Sequence, residues 1–247
     1  MEFATPLPLE NQYNSVVTCA EAAEGIHVSL LNAKELLADG QILFDNARYP
    51  RAIALAVLAI EEYGKVEKIK ELLLSKQKVS SAWREVRSHK SKNYPWLFPL
   101  LKQLGLNDKD ALLALTAKEN NSLKFLDQLK QICFYTEAIK KEDKKGCYWW
   151  LPSEITDADL ARFYLSNADI IVNDDGIMWT EGALSVYIQH NYLQDGKCFT
   201  KDQVLYYQAL RDGKHITEDR FTRIIENVKR MQPPTNNVSE GSDNKTL

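Results

Sequence analysis

Residues 83–92 read WREVRSHKSK and gather Arg84, Arg87, Lys90 and Lys92 around His89, with the hydroxyls of Ser88 and Ser91 between them. On a helix, Arg84 neighbours Arg87 and Arg87 neighbours Lys90 at i,i+3, so one face is strongly basic. A guanidinium can hold a phosphate through two parallel hydrogen bonds, and an imidazole moves protons near neutral pH. Glu85 stands one helical turn before His89, where a carboxylate would favour the imidazolium and fix a ring tautomer. These residues suit a phosphate-bearing ligand held by Arg84 or Arg87, Ser88, Lys90 and Lys92, with His89 as general acid or base. The plainer alternative is a solvated basic helix carrying a structural histidine.

A second constellation lies upstream. Residues 52–65 read AIALAVLAIEEYGK, an uninterrupted apolar run that passes directly into Glu61, Glu62 and Lys65. A helix apolar on every side belongs in the middle of a fold. At about 1.5 Å per residue the run is near 14 Å long, roughly half a bilayer core, so it is expected to be a buried core helix and not a membrane span. Glu61 shares its face with Val57 and Lys65, which places it at the core rim with Lys65 as its expected counter-charge. Either the charges simply begin where the core ends, or a half-buried carboxylate and lysine line a site.

The elements that must position both constellations are helices. A capping box, Thr18 with Glu21, opens a first helix that runs to about Asn46. A short connection leads to Pro50 at the first turn of the second, which extends to about Lys76, and so brief a turn makes the two antiparallel. Ser80 or Ser81 caps a third helix, interrupted by Pro95 and Pro99 around Tyr94, Trp96 and Phe98. A fourth helix, or a pair, starts near Asn107 and continues to about Ala138. Lys140 to Lys145 reads as a solvated loop, and the aromatic residues 146–152 (GCYWWLP) as a plug docked on the bundle. Thr156 caps a helix to about Val172, and Asn173 to Gly176 stop it. Three shorter helical segments follow near 180–193, 200–212 and 217–231, with N-terminal signals at Thr200/Gln203 and at Thr217. The expected organisation is an arm (1–14), a helical bundle (15–175), a C-terminal helical extension (176–231) and a polar, disordered tail (232–247). The fold class is all-α.

Composition narrows the partners. The 247 residues are 45% apolar and 26% charged with net charge −3, so any nucleic-acid contact must be local. Four scattered cysteines show no CxxC spacing, the carboxylates of the two constellations are few and lysine-paired, and neither a metal nor another cofactor is expected. Without a signal-like N-terminus or a span-length apolar run, the expected location is the cytoplasm, away from membranes. His27, His190 and His215 lack partner patterns and are expected to be structural.

Residues 31–65 resemble the AbiV family of bacterial abortive-infection proteins, in which an Asn-Ala on helix one (here Asn32 and Ala33) accompanies a small-residue-rich helix two ending in Glu-Glu, one residue, Gly-Lys. RSHKSK (87–92) resembles that family's His-Lys element. KQICFYTE (130–137) is similar to its basic-then-Cys/Leu-Tyr segment, with Thr136 and Glu137 where Val-Asp is usual. The likeness spans roughly residues 15–155. AbiV proteins in turn look like members of the HEPN superfamily, helical bundles that are often metal-independent ribonucleases built as homodimers. Their Arg-then-His motif, four to six residues apart with a polar residue after the Arg, is matched by Arg84, Glu85 and His89. Residues five apart on an ideal helix point about 140° apart, so Arg84 and His89 meet on one phosphate only in a distorted helix or across two copies.

The resemblance therefore implies an HEPN-like antiparallel bundle acting as a dormant, dimeric toxin. It would arrest translation by cleaving RNA with His89, Arg84, Glu61 and Lys65, while Arg87, Lys90, Lys92, Glu62 and Ser88 bind substrate. A phage-encoded activator is implied by the family alone. The alternative is a non-catalytic protein that blocks translation by binding a protein or ribonucleoprotein partner.

Overall fold

The computed structural model describes residues 12–75, 78–88, 92, 122–141, 145–173, 176–190 and 201–230. These fold as α1 (Cys19–Asp45), α2 (Tyr49–Leu74), α3 (Val79–Arg87), α4 (Ser122–Phe134), α5 (Ala158–Val172), α6 (Glu181–His190), α7 (Lys201–Asp212) and α8 (Glu218–Arg230), with a hairpin of β1 (Glu137–Lys140) and β2 (Cys147–Trp150) between α4 and α5. The class is all-α, as the periodicity indicated.

The opening helices follow the expected signals. Glu21 N–H donates to the Thr18 hydroxyl at 3.2 Å and the Glu21 carboxylate accepts from Thr18 N–H at 2.8 Å, closing the capping box at the start of α1. Those Thr18 donors hold the Glu21 carboxyl below its ordinary range. Asn46 ends α1, Ala47 takes a positive φ of 55°, and Pro50 enters the first turn of α2. The reversal needs only these few residues, and α2 packs along α1.

Helix α2 is the axis of the molecule. Ala52, Ile53, Ala54, Ala56, Val57, Ala59 and Ile60 are fully buried, because α1, α4 and α5 cover it from different sides. Small residues let these helices approach closely: a methyl added to Gly40 would lie 3.1 Å from Leu165 of α5. The main core joins α2 to Leu126, Leu129 and Cys133 of α4 and to Tyr164, Leu165, Ala168 and Ile171 of α5. A second cluster, with Ala22, Ile26, Val66, Ile69 and Leu73, takes in Leu184 of α6. There Lys70 is buried, bonded to Glu67 at 2.5 Å, with its ammonium 4.3 Å from the centre of the Trp179 ring. Toward the C-terminus, Tyr187, Tyr206, Leu210 and Ile216 form a further cluster.

Four expectations require correction, the first being the start of α3, which opens at Val79 with Lys78 as its N-cap and no side-chain cap from Ser80 or Ser81. The fourth helix ends at Phe134, not near Ala138, and residues 137–140 and 147–150 pair as antiparallel strands, Glu137 with Trp150 and Lys140 with Cys147. β-Branched and aromatic content over such short runs favoured a strand, and Gly146 supplies the positive φ of 87° at the turn side. The aromatic segment is not a plug, since Tyr148 and Trp149 are 48% and 72% exposed. The cap of α5 is Asp157, whose carboxylate accepts from Leu160 N–H at 2.8 Å, while Thr156 donates to the Pro152 carbonyl. Thr217 does cap α8, accepting from Arg220 N–H at 3.2 Å. The proline-broken aromatic cluster, the start of the fourth helix near Asn107, the capping box at Thr200 and the tail 232–247 lie outside the described residues.

Candidate functional site

The lower half of α2 presents Glu61, Glu62, Gly64 and Lys65 where the all-apolar stretch gives out. Glu61 is only 2% exposed, and its Oε1 accepts a 2.6 Å hydrogen bond from Nζ of Lys130, itself buried on α4. Lys130 also lies 3.3 Å from Asp127, one turn earlier. The expected Glu61–Lys65 pairing is thus corrected: Lys65 instead bonds Glu62 at 2.7 Å, and that pair is half-buried at the rim. The i,i+3 spacing from Glu62 serves Lys65, whereas Glu61 turns inward toward a cation from a different helix.

Lys130 and Asp127 were not singled out as partners from the sequence. A signal was present. Leu126, Leu129 and Cys133 are buried on α4, and Lys130 falls on that same stripe at i+4 from Leu126 and three before Cys133. A lysine on a buried stripe needs an acid opposite it.

Lys92, from the end of the basic segment, joins this group. It is 4% exposed and seated against α2 at Gly64, where an added Cβ would overlap its carbonyl oxygen and lie 2.8 Å from its carbonyl carbon. Only glycine allows that approach. Burial depresses the Lys92 ammonium pKa, Lys65 and Lys130 push the same way, and Glu61 and Glu62 oppose them. Two anions and three cations therefore share one partly dry region, with Asp127 at its edge.

The rest of the basic segment begins on α3. Arg84 is exposed, and α3 stops at Arg87, after which Ser88 adopts extended backbone (ψ 127°). The helix expected to continue through residue 89 thus ends at Arg87. His89 and Lys90 lie outside the described residues. Arg87 points toward the N-terminal arm, donating to the Asn14 side-chain oxygen at 2.7 Å and to the Tyr13 carbonyl at 2.6 Å. Its guanidinium stacks 4.9 Å from the Trp83 ring, and the Trp83 indole N–H donates to the Ser15 carbonyl.

Elsewhere, His215 is structural: its ring sits between Gly182 and Gly213 and its Nδ1 lies 3.0 Å from the Thr180 hydroxyl. His190 packs edge-on to Tyr206. His27 is exposed at the edge of a cleft of about 590 Å³ bordered by Met178, Trp179, Thr217 and Arg223. Among the described residues no group of His, Cys, Asp and Glu has the makings of a metal site, and no helix is long and apolar enough to cross a membrane. Cys133 is fully buried, which pushes its thiol up to about 11.

No curated protein and no solved structure matches the chain. The profile of AbiV, an HEPN family, matches residues 21–173, which is more than half of the sequence and takes in α1 to α5, the buried acid–lysine group and the basic segment. The chain therefore belongs to the AbiV family of HEPN-like helical proteins, a family associated with abortive infection and phage defence.

Proposed function

We propose that this protein is a dormant, dimeric effector of phage defence that arrests translation by cleaving RNA without a metal, once a phage-encoded protein has triggered it. His89 takes the proton of a ribose 2′-hydroxyl, or protonates the leaving 5′-oxygen, and an arginine stabilises charge on the phosphorane. The 2′-oxygen bonds to phosphorus as the bond to the 5′-oxygen breaks, leaving a 2′,3′-cyclic phosphate and a 5′-hydroxyl. Arg84, exposed on α3, is favoured for the phosphate over Arg87, whose fork is engaged by the arm. Glu61 and Lys65 bias the protonation of His89, while Lys90, Lys92, Glu62 and Ser88 shape the substrate side.

The observation that carries this reading is the seat of Lys92 on Gly64. It supports a common groove, because the chain that leaves Arg84 must return within three residues of His89 to the acid–lysine group of α2. A second reading, a non-catalytic factor that blocks translation by docking a partner, draws on the same α3 face, which already holds peptide carbonyls of Tyr13 and Ser15.

Complementation separates the two. Arg84→Ala and His89→Ala are each expected to abolish induced toxicity, and their co-expression to restore it in part, since a mixed dimer rebuilds one site from the two intact halves. Full toxicity of a folded His89→Ala protein would favour the docking reading. Absence of restoration would remove the shared dimer site.

A further inference from the structure

The hairpin that replaces the expected loop and plug has two unlike faces. Side chains alternate along a strand, so Trp149 shares a face with Cys147 and, across the ladder, with Ala138 and Lys140. Tyr148 and Trp150 share the other with Ile139 and Glu137. On this second face Trp150 and Ile139 are half-buried, while Tyr148 and Glu137 are exposed. The first face is open: Trp149 is 72% exposed, and Cys147 and Lys140 are exposed as well. Opposite Trp149 stands the small, half-buried Ala138. Lys140 occupies the diagonal position, about 7–8 Å away and within reach of a long side chain. Lys141, one residue on, alternates to the other face, its N–H donating to the Gly146 carbonyl.

A bare indole ordinarily finds cover in a core or an interface. Here it is raised on a strand with Lys140 on its face, and the one carboxylate of the described strands, Glu137, is on the other face. Stacking a base on an aromatic ring while an ammonium meets the adjoining phosphate is the general chemistry of single-stranded nucleic-acid binding. We infer that the open face of the hairpin, Trp149 with Lys140 beside it, is a stacking platform for a single-stranded stretch of RNA. The inference rests on the proposed RNA chemistry for its choice of polymer, and it adds the place where substrate is gripped. The position fits. Phe134, where α4 ends before the hairpin, is four residues past Lys130, about 6 Å along the axis from the buried acid–lysine group.

The experiment measures binding of a fluorescein-labelled single-stranded oligouridylate to the full-length protein by anisotropy, with folding followed by circular dichroism. Trp149→Ala is expected to weaken binding about tenfold or more, and Trp149→Phe to restore most of it. Lys140→Ala should lower the slope of log affinity against log salt by about 0.7. Unchanged affinity in a folded Trp149→Ala protein overturns the platform, as does conversion from dimer to monomer with affinity per protomer unchanged, which would make the face a protein contact. His89→Ala isolates this proposal from the catalytic one: it should keep the Trp149-dependent binding yet not cleave when infected-cell extract triggers cleavage by the wild type. If it still cleaves while Trp149→Ala loses binding, the catalytic assignment falls and the platform stands.

Discussion

At the scale of single residues, the arrangement turns on Glu61 and the lysine that neutralises it. Both members are nearly inaccessible and 2.6 Å apart. Taking one partner from a buried pair leaves the other charge without compensation, which costs about 3–5 kcal/mol. Urea denaturation of Glu61→Gln, Lys130→Met and the double variant should therefore show two large single losses and a double loss smaller than their sum by at least about 1 kcal/mol. Additive losses would mean that the two side chains do not act as one unit. The carboxylate itself was legible in the sequence because it follows directly on a fully apolar run. Its partner was not, since i,i+4 spacing points to Lys65 and the true cation comes from a helix sixty-nine residues away. Local spacing describes a helix surface, and Glu61 is not on one.

Among the elements, α2 organises the rest, and Gly64 is where it admits the returning basic segment. In an unconstrained helix interior, replacing glycine by alanine stabilises by about 1 kcal/mol. At Gly64 the added methyl would overlap the Lys92 carbonyl, so Gly64→Ala should lower the melting temperature and displace Lys92 from the acid–lysine group. Gly25→Ala provides the contrast, because its methyl would meet only Ile69 Cδ1, at an ordinary 3.5 Å, and should be neutral to stabilising. A higher melting temperature for Gly64→Ala would remove the close seat of Lys92. Capping residues and proline made α1 and α2 readable to within a residue or two, because their signals are local. The hairpin was missed for the opposite reason. Four-residue strands carry little periodicity, and the pairing of Lys140 with Cys147 across a charged turn is visible only once the chain has folded.

For the whole molecule, the all-α class was readable from helical periodicity, and the family from the Glu-Glu-Tyr-Gly-Lys run in the lower half of α2 together with the basic segment beyond that helix. The catalytic assignment needs more than either, because it joins α3, the acid–lysine group and a second copy of the chain into one site. Its central claim is that His89 breaks RNA by transferring protons at the 2′- and 5′-oxygens. The most direct measurement is end-group analysis of total RNA incubated with purified protein and infected-cell extract, with a chelator present, comparing wild type with His89→Ala. The account predicts 2′,3′-cyclic phosphate and 5′-hydroxyl ends with the wild type and none above background with the folded variant. Equal yields of those ends from both proteins, or growth arrest by wild type with RNA left intact, would contradict it.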